Sequence, residues 1–253
     1  MLTVEYGGAF FHSVMRQEAF GDFLIVKDGF EGWWGRPASR GTDAVHMSGH
    51  GGPLLPRMVG VRQVALSGRL MRADWSTAKL AERLSGLPLD GPLTVREGAD
   101  SQWANAQLID VVIDRAVERA NAAFQLIWRC PDPHKYGPVR ESVSSGANVQ
   151  AFHYGNTDAW PVFEVSGFPN GYRIEGRGQN LGQFYTVTEK PSGAVDRVDF
   201  STGMFTRDGT ARTRVSTQRN VWPVAPFVDT PWRVTALGSG SGSARMLVPD
   251  TWV

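Results

Sequence analysis

The sequence has a single cysteine, Cys130, and it has no long apolar run. One cysteine cannot form a disulfide within the chain, so the fold does not depend on oxidation. The longest apolar runs, such as residues 23–26, are far shorter than a membrane-spanning helix requires. The net charge is only +1, without the basic excess that is typical of proteins whose main task is to bind nucleic acid. The first residues lack a basic region followed by an apolar run, so we expect no signal peptide and synthesis in a cytoplasm.

The composition favours a turn-rich protein built from many short strands. The chain has 29 glycines and 15 prolines in 253 residues, whereas long helices would contain few of either. Hydrophobic residues make up 42% and charged residues 20%, which is enough apolar material for a packed core. We therefore expect a mainly β protein: an α+β N-terminal domain with one short helix, followed by a C-terminal β-sandwich.

A proline-containing segment at 130–137 divides the chain. An alternating strand at 124–129 precedes it, and new β character begins at 160–165. Pro131 and Pro133 end the first strand, because proline cannot donate to a ladder and restricts the residue before it. The sequence thus predicts two domains, at 1–137 and 138–253.

The N-terminal half contains strand patterns, one long loop and one helix pattern. Residues 20–27 read as a strand that ends at the turn signal of residues 27–29, and residues 35–56 read as an irregular segment with no period of its own. A loop of that length inside a compact domain is usually functional or takes part in assembly. Alternation resumes at 61–70, continues without a break at 106–114, and places Phe124, Leu126 and Trp128 on one face.

The helix pattern follows Ser76, which fits an N-cap. Trp75 and Leu80 occupy the two positions of a hydrophobic staple, and Leu80 and Leu84 share a face. Gly86 fits the position that ends a helix. This pattern predicts a helix of two to three turns that lies on a sheet.

The C-terminal half has almost no helical period. Short β runs occur about every ten residues and are separated by turn signals, which indicates a β-sandwich or jelly roll. The predicted strands are 160–166, 172–175, 183–188, 195–200, 211–216, 232–236 and 244–248. The Gly-Ser repeat at 238–243 is interpreted as a flexible hairpin connection, and the glycine-rich segment at 176–182 as a hairpin turn.

No constellation of catalytic residues stands out. Asp43, His46 and His50 are the best candidates for a metal site, but the neighbouring glycines disfavour a helix and the zinc-protease pattern lacks its glutamate. Cys130 has no histidine partner nearby and reads as a small buried hydrophobe. We expect no enzyme, no cofactor and no metal.

The nine tryptophans leave a carbohydrate-binding function open. Trp160, Trp222, Trp232 and Trp252 fall in the sandwich half, where exposed aromatic rings can stack on sugars. The competing interpretation is that these rings belong to a core or an interface, since large aromatics dominate buried area. A cell-envelope hydrolase is a third hypothesis, and it would need convergent carboxylates or a metal.

Three segments, in order, resemble the distal tail protein (Dit) family of siphovirus-type phages, especially phages of actinobacterial hosts. The first runs from Gly-Trp-Trp-Gly-Arg-Pro at 32–37 to His-Gly-Gly-Pro at 50–53 and on to the strand at 62–69. The second is the closing strand with its Asp-Pro-basic-Tyr exit at 124–137. The third is Asn-Thr-Asp-Ala-Trp-Pro at 156–161 with the strand that follows. The chain departs from the family at Cys130, where a small residue such as alanine is more usual.

The resemblance implies a structural virion protein at the distal end of a phage tail. In this family the N-terminal domain, with a tail-tube-like fold and a belt loop, forms a homohexameric ring. The C-terminal sandwich, galectin-like or carbohydrate-module-like, faces outward. The implied partners are the tail tube protein and the tail-associated hub (Tal-like) protein, with the tape measure protein as a further candidate. DNA passes through the lumen without specific binding, and no membrane is involved.

The belt loop of this chain corresponds to residues 35–56, which we expect to pack against the neighbouring subunit. The candidate interface residues carry charged or imidazole side chains in or beside that loop. They are Arg36, Arg40, Asp43, His46, His50 and Arg57. The alternative function is a carbohydrate-binding host-adhesion module of the tail tip.

Overall fold

The structure is a computed structural model, and it describes residues 1–14, 22–37, 39–40, 58–71, 77–114, 121–188 and 194–253. These residues fall into two compact units. Unit 1 comprises Met1–Lys135 together with Val253, and unit 2 comprises Tyr136–Trp252. Each unit has its own hydrophobic core. The two are described separately.

The described residues of unit 1 form short and long strands and one helix. In chain order these elements are β1 Leu2–Tyr6, β2 Ala9–His12, β3 Asp22–Glu31, β4 Ser39–Arg40, β5 Met58–Val59, β6 Arg62–Met71, α1 Thr77–Ser85, β7 Asp90–Glu97, β8 Asp100–Asp114 and β9 Asn121–Cys130. Most of the described residues of this unit lie in strands, which confirms the mainly β class.

Seven of these strands form one closed sheet. Its order is β8-β7-β1-β2-β3-β6-β9, and β9 pairs back onto β8. Every pairing in the circuit is antiparallel except β2 with β3, which is parallel over Phe11↔Phe23 and His12↔Leu24. The two short strands β4 and β5 pair only with each other. Closure gives the sheet an inner face, where the core of the unit lies.

The core of unit 1 is aromatic, and β9 supplies its centre. Phe124, Leu126 and Trp128 all face inward and are almost completely buried, which confirms their predicted alternation. The ring of Trp128 meets that of Tyr6 edge-on at 5.5 Å, a favourable aromatic geometry. The opposite strand face of β9 is exposed, as a closed sheet requires.

The predicted helix is present as α1, and it covers the core with Ala81 and Leu84. Arg83, in its last turn, donates to the carbonyl of Gly8 and so ties the helix to the turn between β1 and β2. The N-cap Ser76 and the staple residue Trp75 lie outside the described residues. Gly86 follows the helix, and its amide donates to the carbonyl of Glu82.

Strand β3 corrects the predicted turn at residues 27–29. The strand does not end there but continues to Glu31, with a shift of register against β6 between Ile25 and Phe30. Asp28 has a positive φ of 58°, and a Cβ on Gly29 would lie 2.5 Å from the Ser67 carbonyl oxygen. The Asp-Gly pair therefore forms a bulge inside a strand, which uses the same residue types as a turn.

Strand β8 corrects the predicted unbroken alternation at 106–114. Leu108 is buried but Ile109 is 56% exposed, and Val111 then returns to the core side. The register against β9 shifts between Leu108 and Asp110, so Ile109 is the extra residue of a β-bulge. One inserted residue moves every later side chain to the other face.

The described residues of unit 2 form eleven strands and one short 3₁₀ helix. In chain order they are β10 Lys135–Ser144, β11 Val149–Ala151, β12 Val162–Ser166, β13 Tyr172–Gly176, the 3₁₀ helix Gly178–Asn180, β14 Phe184–Val187, β15 Val195–Asp199, β16 Met204–Arg207, β17 Thr210–Ala211, β18 Ser216–Arg219, β19 Thr230–Ala236 and β20 Ser243–Trp252. Residue Lys135, at the start of β10, belongs to unit 1.

These strands form two sheets that enclose one core, as predicted for a β-sandwich. Within the unit, one sheet has the order β17-β16-β15-β12-β20-β10 and the other β11-β19-β13-β14-β18. Phe163 of the first sheet meets Trp232 of the second at 5.2 Å between ring centroids. Trp222 joins the same aromatic cluster. The segment at 176–182 is the predicted hairpin connection, from β13 to its antiparallel partner β14.

The Gly-Ser repeat at 238–243 differs from its predicted role as a hairpin connection. It joins β19 to β20, which lie in different sheets, so the chain crosses the open end of the sandwich. Its backbone packs closely: a Cβ on Gly242 would lie 2.5 Å from the Ser166 carbonyl oxygen and 2.6 Å from the ring of Phe168. Asn170 donates to the Ser239 carbonyl at 2.7 Å. Glycine is required here for close approach.

Candidate functional site

The long loop of unit 1 is closed at its base by the β4–β5 ladder. Ser39 pairs with Val59 and Arg40 with Met58. Ser39 and Arg40 belong to the segment that the sequence predicts to be irregular, but they form a strand because each pairs with a residue just beyond the end of the loop. A two-residue ladder is weak by itself, so the base of the loop needs other contacts to define its direction.

The structure describes only two of the six predicted interface residues. Arg36 is exposed at the start of the loop, and Arg40 lies on β4. Asp43, His46, His50 and Arg57 lie outside the described residues. The role of these six residues at an interface therefore stays a prediction.

Arg62 is the residue that fixes the start of the loop. It is 1% exposed, and Nη1 lies 2.9, 2.8 and 2.8 Å from the carbonyl oxygens of Gly32, Trp33 and Gly35. Nε donates to the carbonyl of Pro133 at 3.2 Å. The planar guanidinium has five donors in a fixed fork, so one side chain can satisfy several carbonyls of a tight turn. Burial lowers the pKa of Arg62.

Lys135 approaches the same turn from the other side. It is 5% exposed, and Nζ donates to the carbonyl of Trp33 at 3.0 Å. The ammonium also lies 5.5 Å from the ring centroid of Trp33 and 5.9 Å from that of Trp34. Burial, and then the nearby positive charge of Arg62, lower the pKa of Lys135 to about 8. Within the described residues neither cation forms an ion pair, and both are held by backbone carbonyls and aromatic rings.

The turn between β3 and the loop is shaped to receive these two cations. Gly32 has a positive φ of 80°, and a Cβ there would lie 2.0 Å from the Gln63 carbonyl oxygen. Trp33 is completely buried, whereas Trp34 is 52% exposed. We call Arg62, Lys135 and the carbonyls of residues 32–35 the loop anchor. It sets the direction in which the chain leaves the closed sheet.

Cys130, at the end of β9, is poorly suited to nucleophilic chemistry. The thiol of Cys130 is buried, and burial raises its pKa to about 11, so it is a poor nucleophile. Among residues that the structure describes, no group of three or more His, Cys, Asp and Glu side chains could hold a metal ion. The loop anchor instead fixes the position of the turn at residues 32–35.

Sequence reasoning placed Arg62 and Lys135 inside the resembling segments but gave neither a role. A signal for Arg62 existed in the strand alternation. Arg62 is in phase with Val64, Leu66 and Leu70, which all face the core. A charged residue at an inward position predicts a buried polar site. Lys135 follows a proline-containing turn and had no such periodic context.

Two of the four tryptophans considered for sugar stacking cannot provide that surface. Trp222 and Trp232 are buried in the core of the sandwich, where Trp232 Nε1 donates to Ser142 Oγ at 3.0 Å. Trp160 is 42% exposed and Trp252 is half-buried. The core interpretation is therefore correct for the two buried rings.

No helix in the described part of the chain is long and apolar enough to cross a membrane.

Comparisons with known proteins support the resemblance at the level of fold. The SPP1 Dit protein, described as a paradigm of the hub adsorption apparatus in phages that infect Gram-positive bacteria, matches with a TM-score of 0.71 and 15% identity over 100% of both chains. A chain of the phage P2 baseplate, in its activated conformation with Ca, matches at a TM-score of 0.45 and 6% identity, covering 97% of this chain and 98% of its own. No protein-family model and no curated protein matches the sequence. The resemblance to distal tail proteins is thus confirmed in three dimensions: along its full length, this chain has the fold of SPP1 Dit.

Proposed function

We propose that this protein is a structural component of a phage tail tip, a distal tail protein that connects the tail tube to the hub and adhesion apparatus. The observation that carries the proposal is the likeness to SPP1 Dit, which has a TM-score of 0.71 and covers 100% of both chains. The three sequence segments that resemble the family provide independent support, because they were identified from residues alone. The proposed location is the distal end of the virion tail.

We further propose that residues 1–137 form a homohexameric ring and that residues 138–253 face outward. The contacts of the loop anchor support the assignment of the ring interface to residues 1–137. Two buried cations hold the turn at residues 32–35, which precedes the segment 41–57 in the chain. A fixed starting point lowers the entropic cost of docking the segment that follows it on a neighbouring subunit. Arg36, Arg40, Asp43, His46, His50 and Arg57 are its proposed contacts in a cyclic interface.

The function is proposed to be non-enzymatic. The described residues offer rigid packing, bulges and a buried anchor, and the fold neighbour is an adsorption hub. The partners we propose are the tail tube protein, a Tal-like hub protein and the tape measure protein. A net charge of +1 suits a ring through which DNA passes without specific binding, because strong binding would slow its passage.

Electron microscopy of the purified full-length protein tests the ring. We expect rings of six copies in negative stain and a matching mass by mass photometry. A particle that stays monomeric at all concentrations examined would contradict the proposal.

A loop variant tests the interface separately. Residues 41–57 are replaced by Asn-Gly, a two-residue connection that suits a hairpin and keeps β4, β5 and the loop anchor. We expect a folded monomer that forms no ring. The control is Arg212→Ala, an exposed change in unit 2 that should leave the ring intact. If the loop variant still forms rings, the loop does not make the interface.

A further inference from the structure

The segment that connects β11 to β12 in unit 2 buries a histidine. We call residues 152–157 the strap. Its side chains alternate, so that His153 and Gly155 are buried whereas Tyr154 is 52% exposed. A buried imidazole needs a hydrogen-bond partner for each of its two nitrogens, because an unsatisfied polar group inside a protein is costly.

Both ring nitrogens of His153 are engaged by backbone groups. Nε2 lies 3.0 Å from the carbonyl oxygen of Val224, and the amide nitrogen of Gly155 lies 3.1 Å from Nδ1. A carbonyl can only accept and an amide N–H can only donate, so Nε2 carries the proton and Nδ1 accepts. The site therefore fits the neutral imidazole, since an imidazolium would turn a second N–H toward the Gly155 amide.

The strap contacts two other parts of unit 2. On one side its backbone lies against β20, because a Cβ on Gly155 would lie 1.9 Å from the Thr251 carbonyl oxygen. On the other side the carbonyl of His153 accepts from the amide of Phe227 at 3.2 Å. His153 thus fastens the strap to the segment 224–227 through its ring and through its backbone.

Phe227 is held in an unfavourable backbone conformation by these contacts. It has a positive φ of 58°, which is a genuine outlier for a bulky residue. Such a conformation persists only where the surrounding structure imposes it, and the hydrogen bond to His153 is part of that structure. Release of the strap lets Phe227 relax. The strain therefore opposes the fastened state and favours the released one.

Charged groups from three places face the His153 ring: Asp250 on β20, Arg140 on β10 and Asp158 just after the strap. Burial lowers the pKa of His153 below its ordinary value of 6.5. The Val224 carbonyl and the two carboxylates oppose this shift without cancelling it, and Arg140 adds to it. Asp250 is already paired with Arg140 at 2.7 and 2.8 Å, so its charge is largely compensated.

We propose that His153 is an acid-sensitive switch that releases the strap from the segment 224–227 and from β20. A proton from solvent on Nδ1 replaces the acceptor of the Gly155 amide with a second donor, and the two N–H groups then repel each other. The exposed rings of Tyr154 and Phe227, whose centroids are 6.4 Å apart, separate as the strap leaves. This inference goes beyond the proposed tail-tip function and does not depend on ring formation.

The direction of the switch follows from the number of protons bound in each state. The released strap exposes a histidine of ordinary pKa, whereas the fastened strap lowers the pKa of His153. The strap is therefore fully favoured above pH 6.5 and is released progressively as the pH falls below 6.5. The equilibrium constant for release rises by up to about tenfold for each pH unit, until the pH reaches the pKa of the fastened state.

The buried carboxylates of unit 2 titrate in a different pH range. Hydrogen bonds from Arg140 and Tyr154 outweigh burial and lower the pKa of Asp250 below 3.8. In the same way, hydrogen bonds from Arg233 and Thr235 outweigh burial and lower the pKa of Glu175 below 4.5. Both carboxylates stay ionised between about pH 6.5 and 5, so a change in the strap over that range reports on the imidazole.

Histidine NMR and amide hydrogen exchange on the full chain test the switch. At about pH 7.5 we expect the His153 ring to carry its proton on Nε2, as its ¹⁵N shifts report, and the amides of Gly155 and Phe227 to be protected. After correction for the intrinsic exchange rate at each pH, the protection of both amides should fall several-fold between about pH 6.5 and 5.

Two variants assign the effect to one residue. His153→Gln keeps an N–H that can donate to the Val224 carbonyl but removes the titration, so the protection of Gly155 and Phe227 should stay nearly constant over the same pH range. His134→Gln is the matched control, because His134 is a partly exposed histidine of unit 1 that bonds to Asp132. It should leave the pH dependence at the strap unchanged.

Several outcomes would overturn the proposal. They are a proton on Nδ1 of His153 at about pH 7.5, protection that stays constant down to about pH 5, and a pH dependence that persists in His153→Gln. If His153→Gln does not fold, the unmodified protein still decides, because the ring and the two amides must respond over one pH range. Rings of six seen by microscopy without release of the strap in acid would reject the switch and leave the tail-tip proposal standing.

Discussion

Arg62 Nη1 and Lys135 Nζ donate to the same oxygen, the carbonyl of Trp33, at 2.8 and 3.0 Å. The two residues are 73 positions apart in the sequence and reach the turn from β6 and from the segment after β9. Sharing one acceptor places two buried positive charges close together, which is unfavourable unless the carbonyls around them compensate. The turn at residues 32–35 supplies those carbonyls.

The first prediction concerns Arg62. Arg62→Met keeps an unbranched apolar side chain but removes the guanidinium, which leaves the carbonyls of Gly32 and Gly35 without their donor. We expect the free energy of unfolding to fall by about 3–5 kcal/mol, since several buried acceptors become unsatisfied at once. Urea denaturation measures this. Arg69→Met, an exposed change on the same strand, should stay within about 0.5 kcal/mol of the parent protein, and equal losses for the two would contradict the anchor.

The second prediction is a pH dependence that Lys135 imposes on stability. Its pKa is about 8 in the folded protein and 10.5 as the ordinary value, so between these limits the unfolded chain binds more protons. Stability should therefore rise as the pH increases from 8 to 10.5, by about 3 kcal/mol in total. As the pH falls through 8, this contribution is lost.

Cys130 changes the stability in the opposite direction as the pH rises, so a variant of Lys135 can separate the two effects. Its pKa is raised from 9.0 to about 11, so its contribution to stability is complete below pH 9 and is lost as the pH approaches 11. In Lys135→Met the rise should disappear and only a fall should remain, caused by the thiol and, above pH 10, by the buried tyrosines Tyr6, Tyr172 and Tyr185, whose pKa values burial also raises. Urea midpoints across this pH range measure both effects. A rise that persists in Lys135→Met would show that another group causes it.

The third prediction compares two kinds of ion pair in unit 2. Asp196 is completely buried and accepts from Arg207 Nε at 2.8 Å and from Nη2 at 3.3 Å. Asp196→Asn leaves a largely buried guanidinium without its counter-charge and should lower the free energy of unfolding by about 3–5 kcal/mol. Thermal unfolding measures the loss.

The control for that prediction is Glu164, which pairs with Arg197 and Arg245 on the exposed face of the same sheet. Glu164→Gln should have a much smaller effect, because water screens exposed pairs. Similar losses for Asp196→Asn and Glu164→Gln would mean that burial does not set the strength of these pairs.

The fourth prediction distinguishes two glycines of the Gly-Ser repeat. Gly242→Ala should destabilise unit 2 by about 1–3 kcal/mol, because its Cβ would press on the Ser166 carbonyl and on Phe168. Gly238→Ala should be nearly neutral, since its nearest neighbour would be 3.4 Å away. Differential scanning calorimetry of both variants gives the comparison. If both are tolerated equally, the repeat is a loose connection, as its composition alone suggested.

The sequence predicted those features that depend on local pattern. Alternation identified the inward face of β9, and the turn residues at 176–182 identified the connection between β13 and β14. The position of α1 followed from the spacing of its apolar residues. Each of these is decided by neighbours within a few positions, so periodicity and turn chemistry are sufficient.

Features that depend on distant partners could not be predicted in this way. The bulge at Ile109 exists because β8 must pair with β7 along one part and with β9 along another. The Asp-Gly pair at residues 28–29 forms a bulge because β6 continues beside it. Arg62 and Lys135 meet only when the closed sheet has formed, and in unit 2 the rings of Tyr154 and Phe227, which are 73 positions apart in the sequence, lie 6.4 Å from each other. No local window contains this information.

The closed sheet of unit 1 has an uneven resistance to opening. Six of its seven junctions are antiparallel, whereas β2 and β3 pair in parallel over two residue pairs, Phe11↔Phe23 and His12↔Leu24. A closed circuit of strands can be pulled open at any one junction, and the shortest one requires the fewest broken hydrogen bonds. A force that pulls the circuit open would therefore act first at this junction, and the stiffness of the junction would depend on the aromatic contact between Phe11 and Phe23 at 5.3 Å. The weakest junction of the closed sheet therefore sets the force at which the sheet opens.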